Sequence, residues 1–459
     1  MKKYDVIIIG AGPAGIVAGT TGKKQNPEKS FLMIKKEEKG LVPCGIPYVF
    51  HDLDEISQNA MGPKPFIAAG GEVLVDTVTE VNAETKNVKT ESGKEFLYDK
   101  LVFATGSAPI VPKFIKGYDL EGVELIKKNY NYIEQLKQKT DSAKNIVVIG
   151  GGFIGAEVSE QLAKFPEKNV TLVEAGKHCL YRAFSSDICI QIDEELKSSG
   201  VNVFTEKKVE EILGENGQVK GVKLANNKII PADIVISAVG YKPNVDLAKN
   251  TGLYINSQGA IRVDNYLRSS IKDVYAAGDA AGTVGFITGR TDNIMLASTG
   301  TAEARVLGYN LFTINLLRNF AGTLSVFSTE LNHKVFASAG AIERSAKEAN
   351  IDFVIGKFQD IDRHPGTLSG ASKITVKLAV NPKNGEIIGG EICGGKSVGE
   401  MINVISLAIQ KAVTVYEFIS FQVGTHPLLT NAPTKYILIK AAENAVEKIN
   451  KRNNNRIGD

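Results

Sequence analysis

One cysteine in a stiff segment is the residue of this chain best suited to redox chemistry. Cys44 stands between two prolines and beside Gly45, within residues 41–48. Proline restricts φ and glycine removes side-chain bulk, so this backbone can lie close to a flat aromatic ring. A helix beginning at Gly45 would favour the thiolate through its N-terminal dipole. The alternative is that Cys44 is a small buried residue in a tight loop. The nucleotide-binding motifs elsewhere in the chain favour the redox role.

The other cysteines indicate the environment of the protein. Cys179, Cys189 and Cys393 are widely scattered, and the sequence has no C-x-x-C pair. This spacing fits neither a disulfide scaffold nor a structural zinc site, so no metal is predicted. We therefore expect a reducing, cytoplasmic location and interpret these three cysteines as structural.

Composition limits the class of protein and of partner. The chain has 459 residues, of which 43% are hydrophobic and 23% charged, as in soluble proteins of about three domains. Its formal net charge is only +3, which argues against nucleic acid or an anionic membrane as the main partner. No run of about 20 apolar residues is present, so no membrane span is expected.

The N-terminal residues have the pattern of a dinucleotide-binding turn. A β-branched run at residues 4–9 leads into a G-x-G-x-x-G motif, and an expected helix at 16–24 and strand at 31–34 follow. The first glycine makes the tight turn, the second lets the backbone approach a pyrophosphate, and the third lets helix pack on strand. The candidate contacts are Gly10, Gly12, Pro13, Ala14 and Gly15.

The end of the second strand departs from this pattern. An acidic residue that holds the ribose hydroxyls is expected there, yet Lys35 and Lys36 occupy the place, followed by Glu37 and Glu38. Either a later glutamate binds the ribose or the ribose is held differently.

The same unit recurs later in the chain. A strand at 145–149 enters a second glycine motif, a helix is expected to about residue 164, and a strand at 169–173 ends at Glu174. Glu174 can accept from both ribose hydroxyls and would repel a 2′-phosphate, so this site should prefer NADH to NADPH. The candidate contacts are Gly150, Gly152, Ile154, Gly155, Glu174 and Gly240, the last of which closes the unit.

Two such units in one chain imply an internal electron path, and the chain resembles the FAD-dependent pyridine nucleotide-disulfide oxidoreductases over nearly its whole length. The resemblance assigns the first turn to FAD and the second to NADH. It places Asp279 on the ribityl chain of the flavin and the backbone of residues 295–297 near the flavin pyrimidine. The further motif residues for FAD are Ala104, Thr105, Gly106, Gly278, Asp279, Leu296 and Ala297.

The resemblance also implies roles at the nicotinamide and at the sulfur. Phe153 falls where the family has an aromatic gate over the flavin, and Glu157 where a carboxylate lies near the nicotinamide. The segment around His426 is similar to the histidine-proline segment that reaches across the dimer as acid/base in two-cysteine members, whereas a surface or capping histidine is the alternative. Cys44 has no second cysteine five residues away, which resembles the single-cysteine branch of coenzyme A disulfide, persulfide and polysulfide reductases and NADH oxidases.

The implied fold is α/β, with two Rossmann-like units and a C-terminal α+β dimerisation domain in a homodimer. We predict an FAD-binding domain at residues 1–115 and 246–322, an NAD-binding domain at 116–245, and an interface domain at 323–459. The interface domain should contain a hairpin near Asn384 and Gly385 and a helix whose apolar face is Ile402, Ile405, Ile409 and Ala412. We also expect the helix after residue 297 to run to residue 317, and the polar tail at residues 448–459 to fray.

The expected reaction passes electrons from NADH through FAD to Cys44 when Cys44 is bonded to an external sulfur. The acceptor is then a small-molecule disulfide, persulfide or polysulfide, coenzyme A disulfide among them. An alternative reaction uses the same residues and cofactors but has oxygen or peroxide as the electron acceptor, with Cys44 cycling through sulfenic acid. A rival of another class is a slow electron-transfer or redox-sensing flavoprotein.

The second unit generates a prediction about nicotinamide choice. The enzyme should favour NADH over NADPH in kcat/KM, because the 2′-phosphate would remove the ribose bonds of Glu174 and face its charge. Glu174→Ala should narrow the difference. Steady-state kinetics with both nucleotides checks this, and equal or better use of NADPH by the wild type would contradict it.

Overall fold

The computed structural model describes residues 1–292, 294–318 and 322–457. Its strands, in chain order, are β1 Lys2–Ile9, β2 Phe31–Lys35, β3 Gly40–Leu41, β4 Ala60–Met61, β5 Glu72–Val75, β6 Val78–Asn82, β7 Asn87–Thr90, β8 Glu95–Phe103, β9 Ser107–Pro109, β10 Val123–Leu125, β11 Asn145–Ile149, β12 Asn169–Val173, β13 Asn202–Phe204, β14 Val209–Glu215, β15 Gln218–Leu224, β16 Ile229–Pro231, β17 Ile234–Ser237, β18 Tyr241–Pro243, β19 Ile261–Arg262, β20 Val274–Ala276, β21 Ala281–Val284, β22 Thr291–Asp292, β23 Val326–Leu331, β24 Lys334–Gly340, β25 Val354–Ile361, β26 Lys373–Val380 and β27 Ile387–Gly394.

The helices connect and cover these strands. In chain order they are α1 Pro13–Gln25, α2 Lys64–Ala68, α3 Tyr130–Ser142, α4 Phe153–Ala163, α5 Ser186–Ser198, α6 Asp246–Asn250, α7 Ala297–Asn310, α8 Glu343–Glu348, α9 Val398–Gln410, α10 Val415–Ile419 and α11 Ile437–Ile457. Short 3-10 turns occupy Pro43–Gly45, Pro47–Phe50, Ile56–Asn59, Gly278–Ala280 and Pro433–Lys435. Among the described helices, none is both long enough and apolar enough to cross a bilayer.

The first sheet has the strand order β5-β2-β1-β8-β7-β6, and β20 pairs in parallel with β8. Strand β1 lies between β2 and β8, parallel to both. Its last residues, Val6 to Ile9, are buried because helices and loops cover both faces of the sheet, which is why this run does not alternate with polar residues. Helices α1 and α7 pack against each other on one side.

The second sheet repeats this arrangement with the order β10-β17-β11-β12-β13, and all its pairs are parallel. The carboxyl ends of β11 and β12 therefore meet at one edge, where helix α4 begins. Both predicted nucleotide units are thus present as strand, glycine turn, helix and strand.

The third sheet is antiparallel, in the order β23-β24-β27-β26-β25. Helix α9 buries Ile402, Ile405 and Ile409 against it, and the hairpin of β26 and β27 turns at Gly385. Ala412, which we predicted on the helix face, lies beyond the end of α9. These three sheets confirm the α/β class with an α+β C-terminal unit, and the exact domain boundaries stay a prediction.

One possibility left open by the sequence is not realised, and two local predictions are wrong. No helix begins at Gly45, because Pro43 and Pro47 each start a separate 3-10 turn and Pro47 has no N–H to continue the first one. Helix α7 ends at Asn310, although the pattern predicted residue 317. The polar tail, predicted to fray from residue 448, continues α11 to Ile457, and Arg452 is fixed by an ion pair with Asp352 at 2.8 Å.

A buried ion cluster joins the second and third units. The ammonium of Lys377, on β26, lies 2.7 Å from Ser185 Oγ and 2.8 Å from Asp187 Oδ1, both at the start of α5. It also lies 3.5 Å from Glu391 Oε2, and the other oxygen of that carboxylate accepts from the Ser185 N–H at 2.6 Å. Lys377 and Glu391 are both buried, so neither charge is compensated by water if the other is removed.

Lys377 and Lys357 both bond the carboxylate of Asp187, and the cluster predicts that replacing them has very different effects on the free energy of unfolding. Lys377→Met should lower the free energy of unfolding by about 3–5 kcal/mol, because it leaves Glu391 buried and unpaired. Lys357 also pairs with Asp187, at 3.0 Å, but it is exposed. Lys357→Met should therefore cost at most about 1 kcal/mol. Urea unfolding of both variants checks this, and equal losses would contradict it.

Candidate active site

Both nucleotide turns need glycine for a backbone reason. Gly10 has φ +110° and Gly150 has φ +107°, in a region that L side chains rarely adopt. A Cβ at Gly10 would lie 2.2 Å from the Ala104 carbonyl oxygen, and one at Gly150 would lie 2.6 Å from that of Ala238. Each turn therefore presses closely on the end of a neighbouring parallel strand.

The second glycine of each turn faces open space. A Cβ at Gly12 or Gly152 would have nothing within 4 Å, and each residue precedes a helix without a side-chain cap. Backbone N–H groups at the starts of α1 and α4 are thus available to an anion, with the helix dipole in the same sense. The two cradles fit the pyrophosphates of FAD and NADH.

Asp279, the carboxylate predicted to meet the flavin, is fixed by two donors. Asp279 follows β20, and its Oδ2 accepts from Ser107 Oγ at 2.7 Å and from Lys128 Nζ at 2.6 Å. Residues 104–106 follow β8 beside it, and the Thr105 hydroxyl donates to the Asn244 carbonyl at 2.7 Å. Sequence reasoning missed Lys128, because a lone lysine before a helix carries no motif.

Cys44 is exposed and is the middle residue of the 3-10 turn Pro43–Gly45. The buried Asn59 side chain packs under Gly45, where a Cβ would lie 2.0 Å from its Oδ1, and Asn59 Nδ2 donates to the Val42 carbonyl at 3.1 Å. Gly45 is therefore required by packing. Sequence reasoning missed Asn59, which is 15 residues from Cys44 and belongs to no recognised pattern.

The cysteine segment is anchored in the second unit. Leu41, Ile46 and Phe50 belong to the same core cluster as Ile146 and Val148 of β11.

Polar contacts reinforce this anchor. Gln161 of α4 accepts from the Asp52 N–H at 3.1 Å and donates to Asp52 Oδ2 at 3.0 Å. Lys164 bonds both oxygens of the same carboxylate at 2.9 Å. The segment that carries Cys44 and helix α4 are consequently held together by apolar packing and by hydrogen bonds.

The surroundings of Cys44 raise the pKa of its thiol overall. Burial raises the pKa of the Cys44 thiol, and the carboxylates of Glu157 and Asp279 raise it further, whereas Lys128 and the backbone N–H of Ala297 lower it. Ala297 is the first residue of α7. The helix N-terminus that favours the thiolate therefore comes from α7, and not from a helix at Gly45.

The predicted nicotinamide residues lie on the first turns of α4 and meet β23 of the third unit. The Phe153 ring stacks on Phe327 with centroids 5.3 Å apart. Thr329 Oγ1 donates to Glu157 Oε1 at 2.7 Å. Burial raises the pKa of Glu157 to about 7, although the Thr329 hydrogen bond opposes the rise. Phe327 and Thr329 were not predicted, since they are more than 170 residues away in sequence.

The residues predicted to meet the two riboses make different contacts in the two units. Glu174 Oε2 accepts from the Gly151 N–H at 2.6 Å, so this carboxylate lies at the second nucleotide turn. At the first unit Lys35 bonds the Glu38 carbonyl at 2.7 Å, and Glu37 accepts from Asn129 Nδ2. Which group would hold the FAD ribose stays a prediction.

His426 lies away from this cluster in its own chain. It is exposed, and its Nδ1 accepts from the Leu428 N–H at 3.2 Å. Across residues 1–292, 294–318 and 322–457, no hydrogen bond or ion pair joins His426 to Cys44. Cys179, Cys189 and Cys393 are buried, and burial raises the pKa of Cys189 to about 12.

Comparison with known proteins agrees with this geometry. Residues 4–304 match the family model "Pyridine nucleotide-disulphide oxidoreductase", and residues 328–437 match its dimerisation domain. An NAD(P)H coenzyme A polysulfide/persulfide reductase of Pyrococcus horikoshii is 33% identical over 401 residues, covering 86% of this chain and 88% of the relative. An NADH oxidase of Methanocaldococcus jannaschii is 29% identical, covering 97% and 99%.

A solved structure is also similar. That of a NAD-dependent persulfide reductase from A. fulgidus superposes with a TM-score of 0.89 at 30% identity, covering 97% of this chain and 84% of that one. Together with the two nucleotide cradles, these matches define the chain as an FAD-dependent NAD(P)H oxidoreductase. It belongs to the pyridine nucleotide-disulphide oxidoreductase family.

The raised pKa of Glu157 predicts how stability depends on pH. In the unfolded chain the carboxyl ionises near pH 4.5, whereas in the fold it keeps its proton until about pH 7. Between these values the unfolded state is favoured as pH rises, by about 3 kcal/mol in total. Glu157→Gln should abolish this part of the decline in unfolding free energy between pH 4.5 and 8.

The control for this measurement is Glu330→Gln, a neighbouring carboxylate that is far more exposed. It should keep the wild-type pH profile. A wild-type decline that persists in Glu157→Gln would show that other groups cause it.

Proposed function

We propose that this enzyme reduces a small sulfur acceptor with NADH and uses Cys44 as its only redox-active cysteine. The observation that carries the proposal is the contrast among the four cysteines. Cys44 is exposed beside the flavin-side carboxylate Asp279 and the nicotinamide-side carboxylate Glu157, whereas Cys179, Cys189 and Cys393 are buried. An external sulfur can therefore reach Cys44 alone.

The chemistry balances for a persulfide R–S–SH. The Cys44 thiolate attacks the outer sulfur. A bond forms between Cys44 Sγ and that sulfur, which gives a Cys44 persulfide, and RS⁻ leaves and takes up a proton as RSH. Two electrons then break the new S–S bond, which returns the Cys44 thiolate and releases HS⁻. The sum is NADH + RSSH → NAD⁺ + RSH + HS⁻. Bound FAD would supply the hydride-to-sulfur electron transfer that no side chain can perform.

The residues of the chain supply position and charge for these steps. The cradles at Gly12 and Gly152 would hold the two pyrophosphates, and Asp279 would bind the ribityl hydroxyls. Phe153 would move from its stack on Phe327 to admit the nicotinamide, whose amide Glu157 would bind. The Ala297 N–H stabilises the leaving Cys44 thiolate.

A second copy of the chain would complete the site. His426 is followed by Leu428 and Leu429, both large, apolar and exposed, which is typical of a surface that a partner covers. We infer a homodimer in which His426 reaches the partner's Cys44 and protonates the leaving thiolate. The match of residues 328–437 to a dimerisation domain supports this inference.

The names of the relatives favour sulfur as acceptor, since both the P. horikoshii protein and the A. fulgidus structure are called persulfide reductases. Oxygen is the second candidate, because the M. jannaschii relative that aligns over nearly its full length is called an NADH oxidase. In that case one NADH would reduce oxygen to peroxide, NADH + O2 + H⁺ → NAD⁺ + H2O2. The peroxide would convert the Cys44 thiolate to sulfenic acid and hydroxide, and a second NADH would return the thiolate with release of water.

Replacement of the sulfur tests the proposal. Cys44→Ser should keep FAD and accept hydride from NADH, because both cradles are intact, yet it should lose at least about 100-fold in turnover with persulfide, polysulfide or disulfide, since a hydroxyl forms no mixed disulfide. Anaerobic stopped-flow separates flavin reduction from acceptor turnover.

Cys393→Ala is the matched control and should turn over almost as the wild type does. Normal turnover of Cys44→Ser with the sulfur acceptor would show that electrons leave directly from the flavin. NADH consumption with oxygen alone, at a rate equal to that with sulfur, would favour the oxidase.

A further inference from the structure

One face of the third sheet lies against the part of the second unit that joins β12 to α5, which we call the connecting segment, residues 174–185. Strands β24 and β27 are antiparallel neighbours, and Ser338 on β24 stands directly opposite Glu391 on β27. Opposed residues of such a pair point to the same face of the sheet. The other face of β24 belongs to the core that contains helix α9, through Val335, Ala337 and Ala339.

Both residues of the opposed pair bind the backbone of the connecting segment. The Ser338 hydroxyl donates to the Ala183 carbonyl at 2.8 Å, and a Glu391 oxygen accepts from the Ser185 N–H at 2.6 Å. All four residues are buried. Losing one partner of a buried hydrogen bond costs more than losing one at the surface, because the remaining group is left without water.

Two further contacts from the third unit fix the same segment. The ring of Phe336, on β24, meets the ring of Phe184 edge to face with centroids 6.4 Å apart. Nη2 of Arg344, on α8, donates to the Arg182 carbonyl at 2.8 Å. Four consecutive residues, 182–185, are therefore bound by one neighbouring unit.

The connecting segment also contacts the second glycine turn. The Leu180 N–H donates to the Gly151 carbonyl at 2.8 Å. A Cβ at Gly151 would lie 2.8 Å from Cys179 Sγ. Glu174, the carboxylate predicted to bind the ribose, accepts from the N–H groups of Gly151 and Gly176. The positions of the glycine turn and of this carboxylate consequently depend on the segment.

Leu180, the residue that bonds Gly151, has a strained backbone. Its φ is +55°, in the left-handed region that bulky side chains rarely adopt. Such a residue keeps its conformation only where its surroundings fix it. The N–H groups of Ala183 and Phe184 both donate to the Leu180 carbonyl, at 2.9 and 3.2 Å. The bond from Ser338 to Ala183 therefore holds the turn that keeps Leu180 in place.

We propose that Ser338 is a positioning residue for NADH, whose hydroxyl holds the second glycine turn in its binding form through Ala183 and Leu180. The third unit then shapes the nucleotide site of its own chain. Ser338 acts through the backbone and takes no part in the chemistry. The inference rests on the proposed function only in assigning this glycine turn to NADH.

Hydrogen exchange, followed by mass spectrometry on the FAD-loaded enzyme without nucleotide, tests the position of the segment. Ser338→Ala removes the hydroxyl and keeps the Cβ. The peptide that contains Leu180 should exchange about 10-fold faster than in the wild type, because a buried hydrogen bond is lost and the strained turn opens more often. Helix α9, on the other face of the same sheet, should exchange at the wild-type rate.

Nucleotide affinity tests the consequence. In anaerobic stopped-flow, the NADH concentration that half-saturates flavin reduction should rise about 10-fold in Ser338→Ala, whereas the limiting rate and the FAD content should stay within about 2-fold. Ser328→Ala is the matched control, because Ser328 is exposed on the neighbouring strand β23. It should match the wild type in both measurements.

Three results would overturn the proposal. One is unchanged exchange of the Leu180 peptide in Ser338→Ala. Another is an equal acceleration of exchange in α9, which would indicate a general loss of stability. The third is an unchanged half-saturating concentration of NADH.

Failure of this proposal is distinguishable from failure of the proposed function. In the wild type, saturating NAD⁺ should slow exchange in the peptide that contains the second glycine turn, and an absence of protection there would overturn both. Protection in the wild type, together with wild-type behaviour of Ser338→Ala, overturns this proposal alone. Neither measurement uses a sulfur acceptor, so both are independent of the role of Cys44.

Discussion

The site depends on one packing constraint, the anchoring of the cysteine segment in the core of the second nucleotide unit. Leu41, Ile46 and Phe50 are buried with the strand β11 that leads into α4, and Asp52 is bound to Gln161 of the same helix. A segment of the first unit, between β2 and β5, is thereby held on the second unit in space. In the proposed reaction, electrons that enter at the second cradle would pass through the cofactor of the first cradle to reach Cys44, and this anchoring would keep that path short.

The same arrangement creates an electrostatic difficulty. Burial raises the pKa of the Cys44 thiol, and the carboxylates of Glu157 and Asp279 raise it further. Lys128, whose ammonium lies 2.6 Å from Asp279, and the N-terminus of α7 oppose this rise but do not cancel it. Glu157 is treated differently, because burial raises its pKa to about 7 and so weakens its charge near neutrality.

Features that depend on local backbone geometry could be predicted from the sequence. Gly10 and Gly150 need a positive φ and a close approach to a neighbouring strand, and these requirements leave a glycine motif at a fixed place after a β-branched run. Cys44 and Glu174 could also be predicted from local sequence, because Cys44 stands between two prolines and Glu174 ends the strand β12. The fold class followed from the repetition of this unit.

Features that depend on distant contacts could not be predicted. Lys128, Asn59 and Thr329 come from segments with no pattern of their own, and only the packing of three units gives them their partners. The possible helix at Gly45 does not form, because two prolines limit each turn to a few residues. The acid/base role proposed for His426 would depend on a partner subunit, which no pattern within one chain can position.

The central claim is that an external sulfur bonds to Cys44 and to no other cysteine, and a trapping measurement tests it most directly. Oxidised holoenzyme is incubated with the sulfur acceptor in the absence of NADH, digested, and analysed by mass spectrometry of the cysteine peptides. The account predicts an adduct on the Cys44 peptide alone, which disappears when one equivalent of NADH beyond that needed by the flavin is added. Turnover with an adduct on Cys179, Cys189 or Cys393, or with no adduct at all, would contradict it.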